Sequence, residues 1–361
     1  MTEPHTVDTL EPGWLWRGRM LIKGLNTTTI TSAQVPGKDL SGKWVIVSGA
    51  NSGIGREAVL SFAAWGANII LACRQPPPTE AHPDVVVAEC KDIAKKHGHA
   101  SVFEWWEINN IDLSTVEAFA QRWLDTGRPL DILCNNAGSG HPSIDLDVRL
   151  TKDGFEWLHQ VNFLAHVLLT IRLLPSIAKA QEPRIVCTTS NMTYFGRFDT
   201  SNFNGQGTRQ QDLYGNNKLY FQMWLVELQH QLLQYEHLKH ITINGVHPGF
   251  VNSGIWNFTE GFSHGGVMKY ILGTLASWFA VSSQQGSLAI TYAATSPECG
   301  PDPKLQGIGD IGGKGGGRFF NRIWDTPNMP YVYDQDARTR VFNEVAKELK
   351  LDEKKLSSIF E

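Results

Sequence analysis

Tyr214 and Lys218 are the two residues whose types and spacing best suit proton transfer. They lie four positions apart in a segment, Asp212 to about Tyr235, whose pattern predicts a long helix, so their side chains share a face. A phenol has an ordinary pKa of about 10, and a neighbouring ammonium group lowers it by favouring the phenolate. We therefore expect Lys218 to lower the pKa of Tyr214, the candidate acid/base, and to reach the sugar hydroxyls of a cofactor.

A serine at the end of a predicted strand adds a third polar group to this pair. Ser190 follows the apolar run from Arg184 to Thr189. A hydroxyl in that place can hydrogen-bond a carbonyl oxygen and hold it against Tyr214. A tyrosine and a lysine at this spacing also occur by chance as an exposed pair, so the chemistry depends on what the preceding chain binds.

The preceding chain contains a glycine-rich turn between two predicted strands. Trp44 to Val47 and Asn68 to Cys73 are apolar runs typical of buried parallel strands. Between them, Gly49, Gly53 and Gly55 open a helix that ends near Trp65. In such a turn, backbone N–H groups and a helix N-terminus meet a pyrophosphate, so the unit predicts dinucleotide binding.

Strand and helix patterns alternate along the rest of the chain. This alternation predicts an α/β protein with a single-domain Rossmann fold, a doubly wound parallel sheet covered by helices on both faces. We assign residues 1–40 to an N-terminal extension and 41–361 to the domain, and expect Ser114 to cap a helix with Glu117 in the capping-box position. The further predicted strands are 102–108, 130–134, 184–189 and 241–246, with a last one starting at 319–320, and the further helices are 85–96, 114–125, 151–174, 212–235, 282–294 and 334–351.

Bulk composition excludes several classes of protein. The 361 residues are 42% hydrophobic and 19% charged, as in ordinary globular proteins, and the net charge of −4 argues against nucleic acid as a partner. The five cysteines have no metal-ligand spacing, so we expect no metal site and buried, reduced thiols in a reducing compartment.

The N-terminal region predicts the location of the protein. The first ten residues are polar and acidic, and no run of 18 apolar residues is present, so we expect neither a signal peptide nor a membrane-spanning helix. The aromatic and basic segment Trp14 to Lys23 fits either a membrane surface or an apolar groove of the protein itself. We favour the groove, and expect a cytoplasmic protein with peripheral membrane contact as the alternative.

The end of the second strand indicates the cofactor. NAD-binding proteins place an acidic side chain there to bind the ribose 2′-hydroxyl. This strand ends instead in Cys73 and Arg74, and a guanidinium group pairs well with a 2′-phosphate. The sequence therefore predicts NADP(H).

Several motifs together resemble a known family. They are SGANSGIG from Ser48, NNAG from Asn135, Asn162 in VNFLAH, Ser190, YGNNK from Tyr214 and PGFVNS from Pro248. From about Asp39 to Pro297 the chain resembles the classical short-chain dehydrogenases/reductases, and its ANSGIGREA and LACR segments are similar to the branch of retinol dehydrogenase and WW-domain oxidoreductase.

The resemblance implies roles for individual residues. The catalytic set would be Asn162, Ser190, Tyr214 and Lys218, with Asn162 positioning a water that relays protons. Ser48 and Ser253 stand where the family usually has threonine, but both keep the hydroxyl. The expected cofactor-binding residues are Gly49, Asn51, Ser52, Gly53, Ile54, Gly55, Arg74, Asp112, Leu113, Asn135, Asn136, Ala137, Gly138, Tyr214, Lys218, Pro248, Gly249, Val251 and Ser253.

The substrate pocket is expected to be apolar and aromatic. In this family the segment of about 250–285 would cover the pocket, and here it is rich in aromatic residues. Lipophilic ketones, aldehydes and alcohols, including the substrates of secondary metabolism, fit such walls. The candidate substrate residues are Ser190, Tyr194, Phe195, Phe250 and Trp256.

Two other classes of function stay open. The same scaffold supports non-redox enzymes, such as an epimerase, a dehydratase or a cyclisation catalyst, and it also supports dinucleotide-binding regulatory proteins. The intact catalytic set argues against an idle protein. The family resemblance implies a homodimer or homotetramer, which the N-terminal extension or the glycine-rich insert at 307–317 would affect.

Overall fold

An eight-stranded sheet forms the centre of the protein. A computed structural model describes residues 11–78, 81–140, 150–208, 210–251, 280–301 and 314–353. The strand order is β3-β2-β1-β4-β5-β6-β7-β8, and all neighbours are parallel except β7 and β8. The strands are β1 Trp44–Ser48, β2 Asn68–Cys73, β3 Phe103–Glu107, β4 Ile132–Asn135, β5 Arg184–Thr188, β6 Thr242–His247, β7 Phe319–Asn321 and β8 Trp324–Asp325.

Helices cover both faces of this sheet, which confirms the predicted Rossmann fold. The buried strands are apolar along nearly their whole length, as parallel strands with two covered faces must be. The helices described are α1 Trp14–Gly24, α2 Gly53–Ala64, α3 Pro83–Lys96, α4 Leu113–Asp125, α5 Trp157–Ile177, α6 Gln210–Leu232, α7 Ser283–Thr295, α8 Pro330–Tyr333 and α9 Gln335–Glu348.

The strand order reverses between β1 and β4, and this reversal creates the site. From β1 the chain adds β2 and β3 on one side, then crosses to place β4 on the other. The loops that leave the carboxyl ends of β1 and β4 therefore diverge and open a crevice, where ligands bind in folds of this type. Ser48, Asn135, Thr188 and His247 end their strands at this edge.

Two local predictions for the helices are wrong. Asp112, rather than Ser114, caps α4, because its side chain accepts a hydrogen bond from the Ser114 amide at 3.0 Å. Glu117 pairs with Arg172 of α5 instead of completing a capping box. The helix predicted to run from 151 begins only at Trp157.

Helix α5 contains a wider turn that no sequence pattern indicated. Residues Gln160–Leu164 form a π-helical segment, which shifts the register of side chains within the helix. Asn162 lies in the middle of this segment. Among the described residues, α5 is long and apolar enough to cross a membrane, but 89% of its apolar window is buried in the core, as in a core helix.

The described N-terminal residues pack on the domain, in agreement with the groove expected from the sequence. Helix α1 lies against the turn at Asn191–Phe195, and Trp16 meets Tyr194 edge-on at 5.6 Å between ring centroids. Ile30 and Val35 pack farther along on Ile323. All five cysteines are free and buried, as predicted.

Candidate active site

The glycine-rich turn has the conformation that a phosphate needs. Gly49 has a φ of +67°, and a Cβ on it would lie 2.9 Å from the Cα of Ala137. Gly53 also has a positive φ, but a Cβ there would meet nothing within 4 Å. Ser52 precedes α2 without a side-chain capping bond. The first turn of α2 thus faces open space, and its N–H groups fit a dinucleotide pyrophosphate.

Ser48 joins this turn to the loop that follows β4. Its buried hydroxyl oxygen accepts hydrogen bonds from the amides of Asn136 and Ala137, each at 2.9 Å. The Asn136 side chain donates back to the Ser48 carbonyl at 3.0 Å. The family motifs at 48–55 and 135–138 are therefore one connected unit, and the hydroxyl common to serine and threonine is the group that connects them.

Asn162 fixes the chain just beyond Gly138. Its Oδ1 accepts from the Ser139 amide at 2.8 Å, and its Nδ2 donates to the Ser139 carbonyl at 2.9 Å. Both ends of the amide side chain are thereby used by the backbone. The side chain positions the floor of the crevice, and the role in water binding stays a prediction.

Ser190 and Tyr214 are brought together at the mouth of the crevice. They share a side-chain hydrogen bond, although they are 24 positions apart in the chain and Tyr214 lies on α6 whereas Ser190 follows β5. The Ser190 Oγ also accepts from the Met192 amide at 3.2 Å, and so caps the short 3-10 helix Asn191–Phe195. The turn after β5 thus aims the serine hydroxyl at α6.

The electrostatics of Tyr214 differ from the prediction. Burial raises the pKa of Tyr214 to about 12, although the hydrogen bond with Ser190 partly offsets this. Burial also lowers the pKa of Lys218 to about 8. The Lys218 Nζ lies 5.7 Å from the centroid of the Tyr214 ring. The predicted lowering of the Tyr214 pKa by Lys218 is wrong here, because burial raises this pKa and the contact that partly opposes the rise is with Ser190.

Thr188 is a site residue that the sequence analysis missed. Its carbonyl accepts from the Lys218 Nζ at 2.8 Å, and its hydroxyl donates to the Asn136 Oδ1 at 3.3 Å. Its place two residues before Ser190, at the carboxyl end of a strand, was the available signal. It connects the lysine of α6 to the loop after β4.

Asp112 and Leu113, which are predicted to flank the adenine, lie between β3 and α4 at the start of that helix. Burial alone would raise the pKa of Asp112, but its contacts with Lys152 and Ser114 outweigh this and lower it. Leu113 is buried, and its amide donates to Asp153 at 2.9 Å. Arg74 is exposed directly after β2.

The predicted nicotinamide and substrate residues are only partly described. Gly249 has a φ of +88°, and Val251 forms a parallel bridge with Val281. The described residues do not include Ser253 or Trp256, nor most of the covering segment or of the glycine-rich insert. Phe250 is half-buried after β6.

The two aromatic residues after Ser190 have different surroundings. Tyr194 has no exposed surface, and its hydroxyl donates to the Pro327 carbonyl at 2.6 Å. Its hydroxyl is thus committed to the fold, and we assign it to the core rather than to a pocket wall. Phe195 is half-buried and contacts Trp14 of α1 at 6.2 Å between ring centroids.

Comparisons with known proteins match this chain to a family and to several relatives. The profile of the short chain dehydrogenase family matches residues 43–260. Retinol dehydrogenase 14 of Homo sapiens is 27% identical over 338 residues, covering 92% of this chain and 93% of that protein. The WW domain-containing oxidoreductase of Gallus gallus is 32% identical over 312 residues, covering 82% and 65%.

Solved structures agree on the fold. A protein from Mycobacterium paratuberculosis superposes with a TM-score of 0.61 at 23% identity, covering 90% of this chain and 98% of that one. The L-sorbose reductase of Gluconobacter frateurii, solved with NADPH and L-sorbose, gives a TM-score of 0.54 at 20% identity, covering 71% and 91%.

Proposed function

The chain belongs to the short-chain dehydrogenase family, and we propose that it is an NADP(H)-dependent oxidoreductase that interconverts a lipophilic ketone or aldehyde and its alcohol. The family supports an enzyme that acts on CH–OH or carbonyl groups. The observation that carries the proposal is the hydrogen bond between Ser190 and Tyr214 beside Lys218, at the mouth of a crevice with a phosphate-binding turn.

The pKa of Tyr214 suits carbonyl reduction. When bound, the nicotinamide cofactor supplies the hydride for reduction or accepts it in oxidation. Because its pKa is raised to about 12, Tyr214 is protonated at neutral pH and donates its phenolic proton to the substrate oxygen. Ser190 donates a hydrogen bond to the same oxygen and holds it next to the phenol. The charge of Lys218 stabilises the phenolate that remains.

Preference for NADP(H) is supported by the end of β2. No acidic side chain follows this strand, and the first residue beyond it is the exposed Arg74. A guanidinium group forms forked, charge-assisted hydrogen bonds with a phosphate, whereas it offers little to a free ribose hydroxyl.

A lipophilic substrate is supported by relatives and by nearby aromatic groups. Several relatives are named for retinol, a lipophilic alcohol. In this chain the half-buried Phe195 and Phe250 follow closely after Ser190 and after β6. These rings supply apolar surface near the hydroxyl that would bind the reacting oxygen.

The first test is NADPH consumption with a panel of lipophilic aldehydes and ketones. We expect turnover with NADPH, slower turnover with NADH, and loss of about three orders of magnitude in kcat for Tyr214→Phe, which removes only the acid. Turnover that survives Tyr214→Phe would contradict the role of Tyr214. Tight NADPH binding with no turnover would favour the non-redox enzyme or the regulatory protein.

We also propose a reducing, cytoplasmic environment with peripheral membrane contact through α1. The outer face of α1 exposes Trp14, Leu15 and Ile22, at 70%, 93% and 71% of their surface. Arg19 and Lys23 lie among them, and the helix carries no acidic residue. Such a face suits an anionic lipid surface. Flotation with phosphatidylserine vesicles tests this, and a Leu15→Ser, Ile22→Ser variant should lose binding.

A further inference from the structure

The N-terminal helix α1 contacts the turn that starts at Ser190. We propose that Arg17 of α1 is a positioning residue that holds this turn, residues 190–196, so that the Ser190 hydroxyl meets Tyr214. This inference rests on the proposed function, because it takes Ser190 as the group that binds the substrate oxygen. Helix α1 lies outside residues 43–260, which match the family model. The inference therefore makes a helix from outside this region part of the active site.

The Arg17 guanidinium is buried against the backbone of the turn. Its side chain is only 3% exposed. The Nη1 donates to the carbonyl of Tyr194 at 2.8 Å and to that of Gly196 at 3.3 Å. The last carbonyls of a short helix have no partner within it, and the N–H groups of this one guanidinium nitrogen satisfy two of them at once.

The remaining nitrogens of Arg17 are bound at the start of α1. Its Nε donates to the Pro12 carbonyl at 3.1 Å, and its Nη2 pairs with Glu11 at 2.8 Å. A buried charge is stable only when its donors are satisfied, so the position of the guanidinium is tightly defined. The turn at 190–196 is bonded to a group that has little freedom to move.

Side chains of α1 contact the turn along its length. Trp16 packs edge-on against Tyr194, and Trp14 lies beside Phe195. At the other end of α1, a Cβ on Gly24 would overlap the side-chain amide of Asn191. The residue next to Ser190 and the last residues of the turn are therefore both covered by one rigid helix.

The far end of α1 is fixed to the strands on the other side of the site. Asn321, at the end of β7, donates through Nδ2 to the Lys23 carbonyl at 2.9 Å. His247, at the end of β6, hydrogen-bonds the backbone of Gly24. The buried Arg322 donates to the Asn26 carbonyl at 3.3 Å and also to the Thr28 carbonyl. Helix α1 thus bridges the Ser190 turn and the ends of β6 and β7.

This arrangement affects catalysis because Ser190 belongs to the turn that Arg17 binds. The turn is also anchored by Tyr194, which is buried and donates to the Pro327 carbonyl, whereas Arg17 binds two of the carbonyl groups of the turn. The Ser190 carbonyl and hydroxyl accept the amides of Thr193 and Met192, which are contacts within the turn itself. If the turn moves, Ser190 moves with it. A displacement of about 1 Å at a group that orients the reacting atoms costs on the order of 100-fold in rate.

The test compares Arg17→Met with a control variant, Arg340→Met, at an exposed arginine of α9. Turnover is measured with the best carbonyl of the panel and normalised to NADPH-binding sites counted by fluorescence titration. We expect Arg17→Met to lower kcat about 10- to 100-fold while its Kd for NADPH stays within about twofold of wild type, and we expect both values of Arg340→Met to stay within about twofold. Should Arg17→Met fail to fold, Arg17→Lys, which keeps the charge without the fork, carries the same expectation.

A double-mutant cycle separates positioning from general stability. In a Ser190→Ala background, Arg17→Met should lower kcat by less than about twofold further, because the group it positions is already absent. If the fold-losses in kcat of the two substitutions multiplied in the double variant, the inference would be overturned while the role of Ser190 stayed intact. Full turnover by Ser190→Ala alone would instead contradict the proposed function, which keeps the two failures distinct.

Hydrogen exchange supplies a readout that needs no substrate. In Arg17→Met, peptides that contain residues 190–196 should exchange faster, while peptides from α4 should be unchanged. Unchanged exchange in the turn would overturn the inference, and so would an equal increase throughout the chain, because that result indicates a role in overall stability.

Discussion

The side chain of Lys218 is hydrogen-bonded to the backbone of Thr188, with the Nζ donating to the carbonyl oxygen at 2.8 Å. The lysine is buried, and its charge has no carboxylate partner among its described hydrogen bonds and ion pairs. The bond to Thr188, the last residue of β5, holds this titratable cation beside Tyr214. Lys218 should therefore set the pH dependence of the site.

The activity should fall as pH rises through about 8. The pKa of Lys218 is lowered to about 8 by burial, so the ammonium group is lost above this pH. We expect kcat/KM for NADPH, which reports groups of the free enzyme, to decline from pH 8 upward. The Lys218→Met variant should be less active and should lack this decline. Parallel pH profiles for both proteins would contradict the assignment.

The contribution of Lys218 to stability should have the opposite sign. Between pH 8 and its ordinary pKa of 10.5, the unfolded chain binds a proton that the folded chain does not. The free energy of unfolding attributable to this residue therefore increases with pH through that window. Urea unfolding of wild type and Lys218→Met at pH 7 and pH 10 checks this. The free energy of unfolding of wild type, compared with that of Lys218→Met, should be higher at pH 10 than at pH 7.

Removing Arg74 should reduce the preference for the phosphorylated cofactor. We expect Arg74→Ala to raise the Kd for NADPH by about 10- to 100-fold, the effect of losing a charge-assisted pair with phosphate. The Kd for NADH serves as the internal control and should stay within about twofold. Equal weakening of both cofactors would show that Arg74 does not bind the 2′-phosphate.

Replacing Ser48 by alanine should destabilise the cofactor-binding unit. The change leaves the partly buried amides of Asn136 and Ala137 without their acceptor, at a cost of about 1–3 kcal/mol. Ser48→Thr keeps the hydroxyl and is the matched control, expected within about 1 kcal/mol of wild type. Urea unfolding measures both. Equal losses in the two variants would indicate that volume, rather than hydrogen bonding, matters at this position.

Acid should destabilise the protein through His166. Burial lowers its pKa to about 4, and its Nε2 lies 2.6 Å from the Ala137 carbonyl. The unfolded chain takes up a proton below about pH 6.5, so stability is lost as the pH falls from 6.5 towards 4, by up to about 3 kcal/mol. A His166→Gln variant, which cannot titrate, should show a smaller loss over this range in urea unfolding. An identical loss would assign the effect to other groups, such as His247.

The strands and their carboxyl ends could be predicted from the sequence. A strand that is buried on both faces is apolar along its length, so β1, β2 and β5 are visible as short runs. Ser190 was predictable because it directly follows such a strand. Tyr214 and Lys218 were predictable because they lie four positions apart on a helix.

Other features depend on contacts that no local pattern contains. The π-helical turn around Asn162 has no sequence signal of its own. The raised pKa of Tyr214 reflects burial by distant parts of the chain, which spacing on one helix does not indicate. Tyr194 looked like a pocket residue because it follows Ser190, yet its hydroxyl is bound by the Pro327 carbonyl, 133 residues away.

The contact between Lys23 and Asn321 joins residues 298 positions apart, and this has a consequence for biosynthesis. Helix α1 leaves the ribosome well before β7, to which it is tied. Closing such a long loop is slow, and domains of this size fold as their chain becomes available. Helix α1 therefore cannot complete its docking, and its apolar residues stay open to chaperones, until β7 has been synthesised.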